Sequence, residues 1–181
     1  MPGLVVVTPA TPQDNHGLLR AALACGDPVV YLEHKELWGV QGEVDVEQRI
    51  ELGRARIARS GSDLTIVTWS RGVQLSLDAA QQLGDAGTSV EVIDLRTLWP
   101  WDRAAVLASV VRTRHLLVVH EAVQVAGFGA EVVASVAEAL QGVRVGRLGA
   151  PRIPVGYAQP LENESRLSAE KIVAAARELM P

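Results

Sequence analysis

The 181 residues carry 48% hydrophobic but only 4% aromatic side chains, a formal net charge of −4 and a single cysteine, Cys25. This length suits one domain, or one domain plus part of another, and the Ala, Val and Leu content suits strands buried on both faces. The acidic balance without a Lys/Arg cluster argues against nucleic acid or an anionic membrane as partner, a lone cysteine excludes an internal disulfide, and no apolar run reaches the ~18 residues of a membrane span. The start, Met1-Pro2-Gly3-Leu4, has no basic region or leader-like apolar stretch, so a cytoplasmic location is expected.

In chain order, Leu4–Val7 reads as a short strand, broken by Thr8-Pro9-Ala10-Thr11-Pro12. Thr11 is placed to cap a helix with Pro12 at its first position, and Leu18, Leu19, Ala22 and Leu23 form its apolar face. The helix stops near Gly26-Asp27-Pro28, and Val29–Leu32 is the next strand. Residues 1–34 are therefore a minimal strand–helix–strand unit. Residues 35–61 are charged, carry Gly39 and Gly42 and keep no period, which predicts a linker crossing the surface. Residues 62–181 then alternate strands and helices. The predicted strands are Leu64–Trp69, Val90–Leu95, Leu116–Val119 and Val143–Leu148. The helices run over Val73–Leu83, over 103–112 behind an Asp102 cap with Ala105, Val106, Leu107 and Ala108 inward, from Gly129 onward, and over 168–180 behind a Ser168 cap. Such alternation predicts an α/β fold, a three-layer α/β/α sandwich on a mostly parallel sheet.

Chemistry in such a sheet collects at the carboxyl ends of the strands. His120-Glu121 lies at one such end, and a His–carboxylate pair has acid–base capacity. Adjacent strand residues face opposite sides, however, which argues against their acting as a unit. Glu33-His34-Lys35 ends another strand the same way and suits anion binding, domain contact or chemistry equally. Gly127-Phe128-Gly129 offers a phosphate approach, but the third glycine of the dinucleotide fingerprint is absent. The favoured reading is that small residues let a helix start close to neighbouring backbone. With Phe128, and with Trp99 and Trp101 flanking Pro100, these glycines are candidate subunit-interface residues. No His/Cys spacing suits zinc. His16 falls on a helix and is expected at the surface.

The stretch Ile93-Asp94-Leu95-Arg96-Thr97-Leu98-Trp99-Pro100-Trp101-Asp102, followed by His120-Glu121-Ala122 and Gly127-Phe128-Gly129-Ala130-Glu131, resembles the transketolase-type C-terminal domain. It is most similar to that of the beta subunit in the decarboxylating component of pyruvate or branched-chain 2-oxo acid dehydrogenase complexes. Upstream, Thr11-Pro12-Gln13-Asp14, Asp27-Pro28-Val29-Val30-Tyr31-Leu32-Glu33-His34-Lys35 and Leu52-Gly53-Arg54-Ala55 also fit, as does Ile153-Pro154 downstream. The resemblance implies that 1–34 is the closing βαβ piece of a pyrimidine-binding domain and 62–181 the transketolase-like C-terminal domain. It also implies thiamine diphosphate and magnesium in the full assembly, held by an alpha subunit and the N-terminal half of the beta subunit. The glutamate that activates the cofactor has no counterpart here, so the chain alone is expected to lack a cofactor site and to be inactive. By the same resemblance the C-terminal domain builds a homo- or hetero-oligomer and docks the acyltransferase's peripheral binding domain. Main-chain carbonyls of Ala22, Cys25 and Asp27 match a potassium site in which members often carry an acid where Cys25 stands. Three readings stay open: part of a 2-oxo acid dehydrogenase, including a split subunit that rejoins an N-terminal partner; an assembly module; and an unrelated nucleotide binder. An open Leu4–Val7 edge is expected to drive oligomerisation.

Overall fold

The computed structural model describes residues 2–180. In chain order the elements are strand β1 (Val5–Val7), helix α1 (Pro12–Ala24), strand β2 (Val29–Tyr31), a 3-10 turn (Lys35–Leu37), strands β3 (Arg56–Arg59) and β4 (Leu64–Thr68), helix α2 (Arg71–Asp85), strands β5 (Val90–Asp94) and β6 (Thr97–Trp99), helix α3 (Arg103–Thr113), strand β7 (His115–Val123), helix α4 (Gly129–Ala139), strand β8 (Arg144–Ala150), and helices α5 (Gln159–Ser165) and α6 (Ala169–Leu179). The helix caps follow from the sequence. The Thr11 hydroxyl accepts the Asp14 amide, Asp102 accepts that of Ala105, and Ser168 that of Lys171. None of these helices is long and apolar enough to cross a membrane.

Five strands form one sheet in the order β3-β5-β4-β7-β8, all parallel except β3 against β5. Strand alternation sends Leu64, Ile66, Leu117 and Val119 to one face, where they meet Ala80 and Leu83 of α2 and Ile172 and Ala176 of α6. It sends Val67, Ile93, Leu116 and Val118 to the other, against Val106 and Val110 of α3 and Val132 and Val136 of α4. This is the expected three-layer sandwich, with β4 and β5 buried at every position.

The second sheet is small, in the order β2-β1-β6. β1 runs parallel to β2 and antiparallel to β6, with Val6 opposite both Val30 and Trp99. One face, Val5 and Val7, packs on Leu18 of α1 and on Ile50.

Four expectations are corrected. β1 is not an open edge, because β6, supplied by the loop before α3, pairs along it; the outer strands are β2 and β6. The stretch 35–61, expected as a linker, contains the 3-10 turn and β3, whose Arg-Ile-Ala-Arg sequence is that of a half-exposed edge strand. On α1 the buried face is Asp14, Gly17 and Leu18, while Leu19 and Leu23 are exposed, Leu23 at 81%. Gly17 permits this, since a Cβ there would stand 2.6 Å from Ile50 Cγ1. On α3, Ala108 faces out, and Ser109 and Thr113 face in, because the buried Thr65 hydroxyl of β4 satisfies both at 2.6 and 2.7 Å.

Candidate functional site

β7 carries His120 inward, beside Val118 on the α4 face. The ring stacks on Trp69 at 5.3 Å between centroids and 12° between planes, and Phe128 meets the same indole edge-on. Three glycines enclose the imidazole. A Cβ would approach the ring to 2.7 Å at Gly127, 2.6 Å at Gly129 and 2.8 Å at Gly149. The Gly127-Phe128-Gly129 segment thus packs closely around the His120 ring and, at Gly127, against the Val123 carbonyl. His120 Nδ1 lies 3.0 Å from the Ala122 carbonyl, so that nitrogen carries the proton, and Nε2 has no partner among the described residues. Burial lowers the pKa below the usual 6.5 and holds the ring neutral, against the opposing pull of the Ala122 carbonyl. The ring is 1% exposed. It fixes the conformation of the loop after β7 and offers no open face to a ligand.

Alternation turns Glu121 the other way. Its carboxylate meets His34 Nε2 at 3.1 Å, and His34 Nδ1 accepts the Glu36 amide at 3.2 Å. Two residues singled out at separate strand ends are therefore joined across the seam between the sheets. Glu36 extends the seam with an ion pair to Arg71 Nε at 3.1 Å and another to Arg166. Burial works to raise the Glu36 carboxyl, but hydrogen bonds from these two guanidinium groups hold it below the usual range. Glu33 accepts from Asn15 Nδ2 at 3.2 Å, and Asn15 Oδ1 in turn accepts from the Tyr31 hydroxyl at 2.7 Å. Burial, then the Glu33 and Asp14 charges, raise the Tyr31 hydroxyl well above its usual range.

Glu33, His34, Asn15 and His16 line a cleft of ≈ 500 Å³ whose apolar wall includes Leu37 and Trp38. It lies at the carboxyl ends of β1 and β2, where open α/β sheets bind ligands. His16 is half-buried in this wall and not at the surface. Trp101 packs inward against Phe128 at 6.3 Å, whereas Trp99 is exposed on β6.

A feature not read from the sequence is a buried ion cluster between the sheets. Asp14 of α1 binds Arg96 Nε at 2.8 Å and Arg56 at 3.5 Å, and Arg56 binds Asp94 at 3.0 Å. Burial and the neighbouring Asp14 charge push Asp94 up to about 6 against the pull of Arg56. Asp94 and Arg96 stand in the most telling sequence motif, but their partner lies some 80 residues upstream and no local pattern announces it. At the potassium-matching turn, Cys25 Sγ lies 3.2 Å from the Ala22 carbonyl oxygen and 3.6 Å from that of Asp27. The thiol therefore lies within contact of two of the implied ligands.

The profile for the transketolase C-terminal domain matches residues 53–172, a span that includes β3. The chain is 41% identical to the acetoin:2,6-dichlorophenolindophenol oxidoreductase subunit beta of Cupriavidus necator over 99% of its own length and 54% of the relative's. It is 39% identical to the mitochondrial pyruvate dehydrogenase E1 component subunit beta of Caenorhabditis elegans over 97% of its length and 53% of that protein's. Among solved structures, a split gene transketolase described as an inactive beta4 tetramer superposes with a TM-score of 0.86 at 25% identity, over 99% of this chain and 58% of that one. The fold and these matches define an α/β domain of the transketolase C-terminal type. The chain belongs to the transketolase C-terminal domain family, and it spans about half the length of the curated relatives it matches.

Proposed function

We propose that the chain acts as the C-terminal part of the beta subunit of a thiamine-diphosphate-dependent 2-oxo acid dehydrogenase, taking pyruvate or a branched-chain 2-oxo acid. The observation that carries this is the match of nearly the whole chain to pyruvate dehydrogenase E1 beta subunits and an acetoin oxidoreductase beta subunit. In this reading the chain contributes subunit assembly, with an alpha subunit and an N-terminal beta half as partners, and a docking surface for the acyltransferase's peripheral binding domain, in the cytoplasm. Trp99, Trp101 and the Gly127–Gly129 loop remain candidates for those contacts.

Thiamine diphosphate supplies the stabilised carbanion that decarboxylation needs when it is bound in the full assembly. In this proposal, as the resemblance implies, the donors for magnesium and the diphosphate come from the partners. Of the candidate residues, Glu33 and His34 face the cleft, Glu121 holds His34 in its wall, and His120 packs apart from it against Trp69.

The test is reconstitution. The purified chain with thiamine diphosphate and magnesium is expected to leave a 2-oxo acid untouched, and the chain with an alpha subunit and an N-terminal beta half is expected to decarboxylate it. Turnover by the chain alone, or none from the complete set, sinks the reading. A second reading, a split transketolase-like subunit or pure assembly module, is favoured by the likeness to the split gene transketolase beta tetramer. A ketol transfer between sugar phosphates by the reconstituted set would select it.

A further inference from the structure

The cleft at the carboxyl ends of β1 and β2 has one chemical character. Its apolar wall is open to solvent, with Leu19 45% exposed, Trp38 68% and Val40 40%. Large apolar side chains gathered in one concave patch mark a binding surface. A single carboxylate stands among them. The Tyr31 hydroxyl donates to Asn15 Oδ1 at 2.7 Å, and Asn15 Nδ2 donates to Glu33 Oε1 at 3.2 Å. This chain of hydrogen bonds orients Glu33 and leaves its Oε2 without a partner among the described residues. Among those residues no lysine or arginine lines the cleft. His34 adds no free polar group, since Nε2 donates to Glu121 and Nδ1 accepts the Glu36 amide. An anion is the common guest at such strand ends, seated on a helix N-terminus. Here that end is spent. Pro12 has no N–H, the Asp14 amide donates to the Thr11 hydroxyl, and the Asp14 carboxylate occupies the first turn.

We infer that the cleft is a binding site for a small organic ammonium ion with an apolar body. The charged nitrogen pairs with Glu33 Oε2 and lies against the Trp38 indole, and the body packs on Leu19, Leu37 and Val40. Aromatic faces attract such cations, and the more so where a carboxylate shares the site. The volume, ≈ 500 Å³, is that of a small-molecule site. The open apolar area at Leu19, Trp38 and Val40 favours a free amine with its own apolar body over the lysine side chain of another protein, whose single methylene chain covers less of it. The site is independent of the proposed function, which gives this cleft no ligand.

The probes are phenethylammonium, its neutral isostere 2-phenylethanol and the anion phenylacetate, each titrated into the full chain. The readouts are the NMR resonances of the Trp38 indole N–H and of the Asn15 and Glu33 amides. Phenethylammonium is expected to shift them saturably and to bind about tenfold tighter than either analogue. Glu33→Gln weakens that binding about tenfold and Trp38→Leu about fivefold. Both positions are exposed, and an unchanged melting temperature shows that the fold survives. Trp99→Leu and Glu138→Gln, an exposed aromatic and an exposed carboxylate elsewhere, leave the affinity unchanged. Glu33→Lys turns the preference to phenylacetate. The absence of saturable binding overturns the inference. So does equal binding of 2-phenylethanol or phenylacetate, full affinity in both Glu33→Gln and Trp38→Leu, or a loss as large in Trp99→Leu. Tighter binding of the tripeptide Gly-Lys-Gly than of phenethylammonium also overturns it, by assigning the cleft to a lysine side chain.

Discussion

The two sheets are built from the same kind of sequence, short valine-rich runs, and end in different physical situations. In the five-stranded sheet every central strand is sandwiched between helices, and β4 and β5 expose nothing. In the three-stranded sheet a single helix covers one face, and the outer face and the β2 edge meet solvent. The difference teaches that the larger sheet is a finished core, while the smaller one is tied to its neighbour by charge pairing and leaves a face and an edge exposed.

The largest expected effect breaks the tie between the two. Asp14→Ala removes the carboxylate on which Arg96 and Arg56 converge inside the protein. Loss of one member of a buried pair costs about 3–5 kcal/mol, read by denaturant unfolding and by early proteolysis within residues 2–50. Next, Ile66→Ala in the finished sheet opens a cavity that helices on both sides prevent from collapsing, at about 2–5 kcal/mol. Val30→Ala in the unfinished sheet should fall within about 0.5 kcal/mol in the isolated chain. Equal losses at Ile66 and Val30 would abolish the contrast drawn here.

Titration sharpens the comparison further. Asp94, at about 6 in the folded state against the usual 3.8, holds its proton more tightly folded than unfolded. Its contribution therefore stabilises the protein as pH falls from about 6 toward 4. His120, lowered by burial, works in the opposite sense, since the unfolded chain takes up that proton first and stability declines as pH drops below 6.5. Asp94→Asn should steepen the acid decline seen in melting temperature, because it removes the opposing term. A small effect is also expected at Cys25. Cys25→Ala frees the Ala22 and Asp27 carbonyls near the surface at a cost of about 1 kcal/mol or less, measured by thermal melting. Replacing sodium by potassium in the same melts should shift Cys25→Ala more than the parent chain if the thiol is what keeps a cation out.

How far the sequence was legible follows the same division. Leu64–Thr68, Val90–Asp94 and Leu116–Val119 were plain because burial on both faces leaves an unbroken apolar run, and the Thr11, Asp102 and Ser168 caps were plain because a cap is a local signal. β3 and β6 were not, since Arg56-Ile57-Ala58-Arg59 and Thr97-Leu98-Trp99 are strands only by virtue of distant partners. α5 buries nothing and so left no period. At the candidate site, Gly127 and Gly129 were visible as small residues at a helix start, but the imidazole that requires them was visible only as a neighbour in sequence. The Asp14–Arg96 contact and the His34–Glu121 contact join segments about 80 residues apart, beyond the reach of any periodicity.

β6 has a further consequence, for synthesis. The residue that completes the pairing of Val6 is Trp99, more than 90 positions later. At a ribosomal pace of about 5–20 residues per second, the opening strand waits several seconds for its neighbour. During that interval β1 has β2 and α1 beside it but no neighbour along the edge that β6 will cover.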